Sequence, residues 1–352
     1  MDVAMLKKVL DQRNVNRFRT LIEESQRIVV TCHVRPDGDA MGSSMGLMHL
    51  LSSLGKNVKV VTPDTPPRQL SFMPGMEEVV PYTRFQDYAT RLVNEADLIV
   101  CCDFNNMARQ EELGRLMEKS SAKKVMVDHH LYPEDFATVT FSFPEMSSAS
   151  ELMFRIVADM GYYNEMNLSC ATCLCTGIIT DTKNLSVNCS NPELYHVMME
   201  LTKKGVDVAG IVKKALHTKS YDGIRLQAYA LSNNYRLYRK HKAALVWLTL
   251  EDLSKFDYEK GDTEGLVDRA GEAVGVVYTI FLRQDNDCIK VSTRSVDDFP
   301  VNTLCEKYFN GGGHRQAAGG KFFGSMEECI ALCEKVMEEF DCYLPSESTK
   351  NK

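Results

Sequence analysis

Four short stretches of this chain each end an apolar run on groups that can bind a metal ion or move a proton. Val125-Met126-Val127 runs into Asp128-His129-His130. Thr31-Cys32 leads to His33, with Asp37 and Asp39 close behind. Cys101-Cys102 is followed by Asp103, and Ile178-Ile179-Thr180 by Asp181. An acid and two imidazoles at the end of a dry strand are costly to bury without compensation. A metal ion or an ion-pair network is the usual compensation, and the recurrence of Asp and His at all these ends favours a metal. Asp37 and Asp39 can each face a different ion of a close pair, and Asp103 on a neighbouring strand could bridge both. A mixed oxygen and nitrogen shell suits manganese, with magnesium as the alternative. Two such ions, roughly 3.5–4 Å apart, clamp a phosphate and activate a water at neutral pH.

A second group of residues could bind an anion. In Gly311-Gly312-Gly313-His314-Arg315 the glycines let backbone N–H groups approach a ligand closely. His314 and Arg315 add charge-assisted donors, and Arg294, on the strand Val291 to Ser295, could reach the same place. Cys170, Cys173 and Cys175 suggest either a zinc or redox site or plain packing. No second Cys/His pair at structural-zinc spacing follows, and the neighbours are apolar, so packing is the reading adopted.

The elements that must position these groups follow from periodicity. An amphipathic helix is expected from the first residues to about Ser25, through Leu6, Val9, Leu10, Phe18 and Leu21. Strands are expected at 27–32, 57–62, 97–102 and 125–127, alternating with helices near 40–54, 85–95 and 108–119. Continuous apolar strands alternating with helices predict a doubly wound, mostly parallel sheet. In such sheets ligands sit beyond the carboxyl ends of the strands. His33, Asp37, Asp39, Asp103, Asp128, His129 and His130 all fall there. Helices at 148–160 and 167–179 bring Asp181 to the same neighbourhood. The fold class is therefore α/β, with a second, smaller α/β domain. Its strands are expected at 243–250, 278–283 and 288–296, and its helices at 266–274, 301–309 and 326–340. The expected organisation is 1–190 for the catalytic domain, 191–221 for a helical connector, 222–345 for the smaller domain and 346–352 for a disordered tail.

Composition bounds the partners. At 352 residues two domains of ordinary size have room for a core each. The formal net charge of -7 supplies no overall basic field to hold a long nucleic acid, so an anion must be captured locally. No apolar stretch approaches a membrane span, and the twelve cysteines without a secretion signal read as reduced thiols of a cytoplasmic protein.

The motifs together resemble those of the DHH phosphoesterase superfamily, which takes its name from Asp128-His129-His130. HVRPDGDAMGSS is similar to its first motif, CCDFNN to its second, VDHH to its third and GIITDT to its fourth. FNGGGHRQAAGG resembles the signature of the DHH-associated C-terminal domain. Within the superfamily the HVRPDGDAMGS form and the compact length resemble the branch of nano-RNases and 3′-phosphoadenosine-5′-phosphate (pAp) phosphatases. The resemblance implies one ion on His33, Asp37 and Asp103, and a second on Asp39, Asp103, His129 and Asp181. It implies that His130 touches the scissile phosphate or its leaving oxygen and that Asp128 orients its neighbours, making His130, Asp128 and Asp103 the catalytic group. It places Arg109, Arg294, Gly312, Gly313 and His314 on the substrate, where Arg315 of the glycine run is expected to join them. The family often has Pro between the two acids of the first motif; Gly38 here is expected to leave that loop freer. The implied substrates are short RNA oligonucleotides and small nucleotide phosphates, cut with two divalent ions, with no long nucleic-acid track and with a homodimer allowed. Rival readings are a polyphosphate or pyrophosphate hydrolase, a cyclic or linear dinucleotide phosphodiesterase, and a nucleotide-binding sensor without catalysis.

Overall fold

The computed structural model describes residues 9–259, 261–296 and 298–344. It divides into two compact units, Met1–Thr218 and Lys219–Lys352. The expected tail at 346–352 and the first turn of the expected N-terminal helix, with Leu6, lie outside the described residues.

The first unit runs α1 (Gln12–Glu24), β1 (Arg27–Cys32), α2 (Gly38–Ser53), β2 (Asn57–Thr62), β3 (Val80–Pro81), α3 (Gln86–Glu95), β4 (Leu98–Cys102), α4 (Glu111–Lys119), β5 (Lys123–Asp128) and β6 (Val139–Ser142). Four helices complete it: α5 (Ala149–Asp159), α6 (Leu168–Asp181), α7 (Pro192–Lys203) and α8 (Val208–Leu216). Its sheet has the order β3-β2-β1-β4-β5-β6, and every neighbouring pair is parallel. The expected doubly wound parallel sheet is what forms. Alternate residues explain why the strands read as unbroken apolar runs. Ile28, Val30 and Cys32 of β1 belong to the core shared with α2, α5 and α6, while Val29 faces the core shared with α3 and α4. With both faces covered, the central strands β1, β4 and β5 are apolar through their middles and carry their charged residues at or beside their ends.

The sequence-based reading missed β6, a four-residue edge strand too short to carry a periodic signal. Helices α7 and α8 occupy the stretch read as a connector. Leu194, Val197, Leu201 and Ile211 are buried in the first unit's main core, so this stretch is part of that unit.

The second unit runs α9 (Tyr221–Asn233), β7 (Tyr235–Tyr238), β8 (Ala243–Leu248), α10 (Leu250–Ser254), α11 (Leu266–Ala270), β9 (Tyr278–Gln284), β10 (Ile289–Ser295), α12 (Val301–Tyr308), β11 (Gly312–His314), β12 (Ala317–Phe322) and α13 (Met326–Phe340). Its sheet order is β11-β12-β10-β9-β8-β7, antiparallel except for the pair β8 and β9. One core packs α12 and α13 on one face, and another packs α9 and α11 on the other. Helix α9 and strands β7, β11 and β12 were not anticipated. The glycine run contributes β11, one strand of a hairpin with β12.

Candidate metal and phosphate site

The strand order reverses between β1 and β4, the point at which a doubly wound sheet opens a crevice. In the β1–β4 register Cys32 faces Cys102, so His33 and Asp103 leave the sheet side by side. Asp128 ends β5, the next strand over, and His129 and His130 follow it. Asp103 has a left-handed backbone (φ 61°) and its N–H donates to Val127 O at 2.9 Å, which turns its side chain back over the strand ends.

Helix packing supplies the remaining acids. Asp37 caps α2, with Oδ1 accepting from the N–H groups of Asp39 and Ala40 at 3.0 Å each. Its other oxygen lies 3.7 Å from His33 Nε2. Asp181 is the last residue of α6. The two helices touch backbone to backbone through small residues. A Cβ on Gly42 would meet Gly177 Cα at 2.7 Å, and one on Gly38 would meet Thr180 Oγ1 at 2.2 Å. The expectation of a freer loop at Gly38 is thus overturned. Gly38 is the first residue of a packed helix, and the close approach of α6, not flexibility, requires it.

The outcome is three overlapping clusters in which every ligating atom lies within 4.8 Å of the others: His33, Asp37 and Asp103; Asp39, His129 and Asp181; and Asp103, His129 and His130. Asp103 Oδ2 is 3.3 Å from His33 Nε2, and Oδ1 is 3.5 Å from His129 Nε2. His129 Nε2 also lies 3.8 Å from Asp39 and 3.6 Å from Asp181. Both imidazoles are oriented from behind. His33 Nδ1 bonds Val34 O at 2.7 Å and His129 Nδ1 bonds Met146 O at 3.3 Å, which aims each Nε2 inward. His130 is held differently. Its Nδ1 lies 2.8 Å from Asp128 Oδ1, and its N–H donates to Asp128 Oδ2 at 2.8 Å.

The electrostatics of the cluster call for positive charge. Burial works against a charged His33, yet Asp103 and Asp37 hold it up to about 10. Burial likewise opposes a charged His129, which Asp103, Asp39 and Asp181 hold up to about 11. Burial alone would raise Asp103, but His129 and His33 keep it well below the carboxylate range. Asp39 is pushed well above that range by burial and by the Asp103 and Asp181 charges. Burial lifts Asp181 to about 7 against the pull of His129. Protons are doing, in this arrangement, what cations could do. Asp103 Oδ1 is buried without a hydrogen-bond partner, an orphan that a bound cation would satisfy. The donor set of imidazole nitrogens and carboxylate oxygens fits divalent cations.

The other candidates divide. Arg109 lies in a short turn after β4, and its carbonyl accepts from Val34 N at 2.8 Å, joining the loops that carry His33 and Asp103. In the second unit, Arg294 and His314 both pair with Ala317, in one cross-strand row of β10, β12 and β11. At His314 only the backbone is described. The Arg294 Nε lies 3.6 Å from Asp268 Oδ1. Arg315 is exposed, its Nε donating to Asp298 O at 2.9 Å. Gly313 has φ 142° and a Cβ there would meet Ala317 O at 2.6 Å, so the hairpin itself demands glycine. Gly312 has no such demand, since a Cβ there would come no nearer than 3.8 Å to any neighbour. Cys170, Cys173 and Cys175 are buried on α6 among apolar neighbours, as packing residues are.

Some supporting groups had no signal in the sequence. Gln110 is fully buried, with Nε2 donating to Cys32 O and Oε1 accepting from Thr31 Oγ1 at 3.3 Å. Asn105 Nδ2 donates to Leu131 O at 2.6 Å and anchors the turn after His130. The backbone carbonyls behind His33 and His129 belong with them.

Residues 27–178 match the model of the DHH family, N-terminal domain, and residues 242–339 match that of the DHHA1 domain. The bifunctional oligoribonuclease and PAP phosphatase NrnA of Bacillus subtilis is 27% identical over 321 residues, covering 89% of this chain and 96% of that protein. Its counterpart from Thermus thermophilus is 30% identical over 297 residues, covering 84% of each. The crystal structure of an exopolyphosphatase-related protein from Bacteroides fragilis is 43% identical, superposes with a TM-score of 0.94, and matches 96% of this chain and 99% of that one.

Proposed function

The chain belongs to the DHH family, and on that premise we propose that it is a metal-dependent phosphoesterase hydrolysing short oligoribonucleotides and pAp. The observation that carries the reading is the set of overlapping clusters at the carboxyl ends of β1, β4 and β5, two of which contain Asp103 and two of which contain His129. It is supported by the activities named for relatives that align over 96% and 84% of their own length.

In this reading His33, Asp37 and Asp103 hold one divalent ion, and Asp39, Asp103, His129 and Asp181 hold the other. Manganese is the best match for that donor set, with magnesium as the alternative. When bound, the pair supplies Lewis acidity to a phosphate and lowers the pKa of a water. The chain's own groups do the rest. Val34 O and Met146 O keep Nδ1 of His33 and His129 engaged, so each ring offers Nε2. Asp128 fixes His130 through Nδ1, leaving Nε2 to face the substrate. Water oxygen attacks phosphorus, the bond to the leaving oxygen breaks, and His130 Nε2 gives that oxygen its proton. Arg109, Arg294, Gly312, Gly313, His314 and Arg315 bind the substrate's phosphates and sugars. Among the described residues no helix is long and apolar enough to cross a membrane.

The test is a substrate panel with added manganese: pAp, RNAs from dimer to pentamer, a long RNA, a cyclic dinucleotide and polyphosphate. The -7 net charge and the absence of a basic stripe leave a long strand little to gain from backbone contacts. kcat/KM is therefore expected to peak at roughly two to five nucleotides and to fall beyond, even at low salt. Preference for polyphosphate, or equal cleavage of the long RNA, would replace this reading.

A further inference from the structure

Glu151 and Arg155 form an ion pair inside the first unit, their side chains 1% and 4% exposed. Glu151 Oε1 accepts from Arg155 Nε at 2.9 Å and from Nη2 at 2.6 Å. Glu151 Oε2 accepts from both donors of Ser147, the backbone N–H at 2.9 Å and Oγ at 2.7 Å. Such a pair is an expensive way to fill a core. Desolvating both charges consumes most of their attraction, and an apolar pair of equal volume is commonly as stable or more so. Arg155 Nη1 also lies 3.9 Å from Glu193 Oε2 on α7, which accounts for the arginine in part but not for the buried Glu151.

The neighbours of Glu151 give a reason for it. Oε2 fastens Ser147, and the segment from Met146 to Ser150 reaches two ligands of one cluster. Met146 O takes His129 Nδ1 at 3.3 Å. The N–H groups of Ala149 and Ser150 donate to Asp39 Oδ2 and Oδ1, at 2.6 Å and 2.9 Å. Asp39 and His129 are two of the three groups in the Asp39, His129 and Asp181 cluster. Among the described residues, no hydrogen bond runs from this segment to the His33, Asp37 and Asp103 cluster. His33 is fixed by its own neighbour Val34, and Asp37 by the first turn of α2.

We infer that the buried Glu151–Arg155 pair positions the Met146–Ser150 segment so that Asp39 and His129 are set for one of the two ions, making Glu151 and Arg155 positioning residues for that ion alone. The inference rests on the two-ion reading proposed above. Groups that orient ligands from behind typically change metal affinity 10–100-fold when removed.

The double variant Glu151→Leu/Arg155→Met removes both charges while keeping the volume. Manganese titration of the metal-free protein by calorimetry, with thermal unfolding as the control for folding, tests the idea. One of the two ions is expected to bind about 10–100-fold more weakly, with the other unchanged and the folded state retained. Wild-type affinity for both ions, or equal weakening of both, overturns the inference. Should the double variant not fold, Ser147→Ala decides, since it deletes only the Oγ bond to Glu151. About a fivefold loss at one ion is expected there, and no loss overturns the inference. Wild-type protein that takes up no manganese defeats the two-ion reading itself, which is a distinguishable result.

Discussion

Replacing Asp103 by Asn removes the one group that both proposed ions share while disturbing the fold least. The left-handed backbone at this position (φ 61°) suits Asn better than Ala, because Asn tolerates that region. The residue is 2% exposed, so an isosteric amide opens no cavity. What changes is charge. The carboxylate lies 3.3 Å from His33 Nε2 and 3.5 Å from His129 Nε2, between the two halves of the site. A neutral amide there weakens the hold on both ions at once. A metal clamp contributes several kcal/mol to a phosphoryl transition state. Losing about 4 kcal/mol corresponds to about a 10³-fold loss of turnover. Asp103→Asn is therefore expected to retain at most one tightly bound ion and to hydrolyse pAp and an RNA dimer about 10³-fold more slowly, with an unchanged circular-dichroism spectrum. Metal content by mass spectrometry and turnover with saturating manganese are the assays. A folded variant that holds two ions and turns over within tenfold of wild type would refute the bridging role.

Metal uptake should release protons. His33 and His129 keep theirs to about 10 and 11 in the metal-free site, and Asp181 keeps its own to about 7, so an ion must displace them at neutral pH. Manganese affinity is expected to rise steadily from pH 6 to pH 9, a range taken from metal-site linkage, and calorimetry in buffers of different ionisation enthalpy counts the protons; a flat profile would contradict the geometry. Gly38→Ala puts a Cβ 2.2 Å from Thr180 Oγ1 and must spread α2 from α6. It is expected to cost about 1–3 kcal/mol of stability and, by moving Asp37 and Asp39 away from Asp181, about 100-fold in kcat; unchanged melting and turnover within twofold would count against it. His314→Ala should raise KM far more than it alters metal content, and loss of the metals would place His314 with the wrong function.

The two layers of this protein were not equally legible in its sequence. The parallel sheet and the groups at its strand ends, His33, Asp103 and His129 among them, could be read directly, for one physical reason, whereas Asp37, Asp39 and Asp181 stand at the ends of α2 and α6. A strand covered on both faces is a continuous apolar run, so an Asp or His at its end stands out, and β1, β4 and β5 all carry one. Short edge elements such as β6 and β7 escaped, because four residues hold too little pattern to separate a strand from a loop. Gly38 was misread for a related cause. A glycine beside two acids has the same appearance whether it bends a loop or admits a neighbouring helix, and only the approach of Thr180 distinguishes them. The stretch at 191–221 showed polar composition, but its apolar face finds a core only once α5 and α6 are in place. Tertiary structure alone decided how the ligands are aimed. The Val34 and Met146 carbonyls that set the two imidazoles are backbone groups present at every residue, so no side-chain type announces them. Glu151 and Arg155 are an ordinary i, i+4 pair in sequence, and they differ from a solvated surface pair only because the folded chain buries them behind Asp39 and His129.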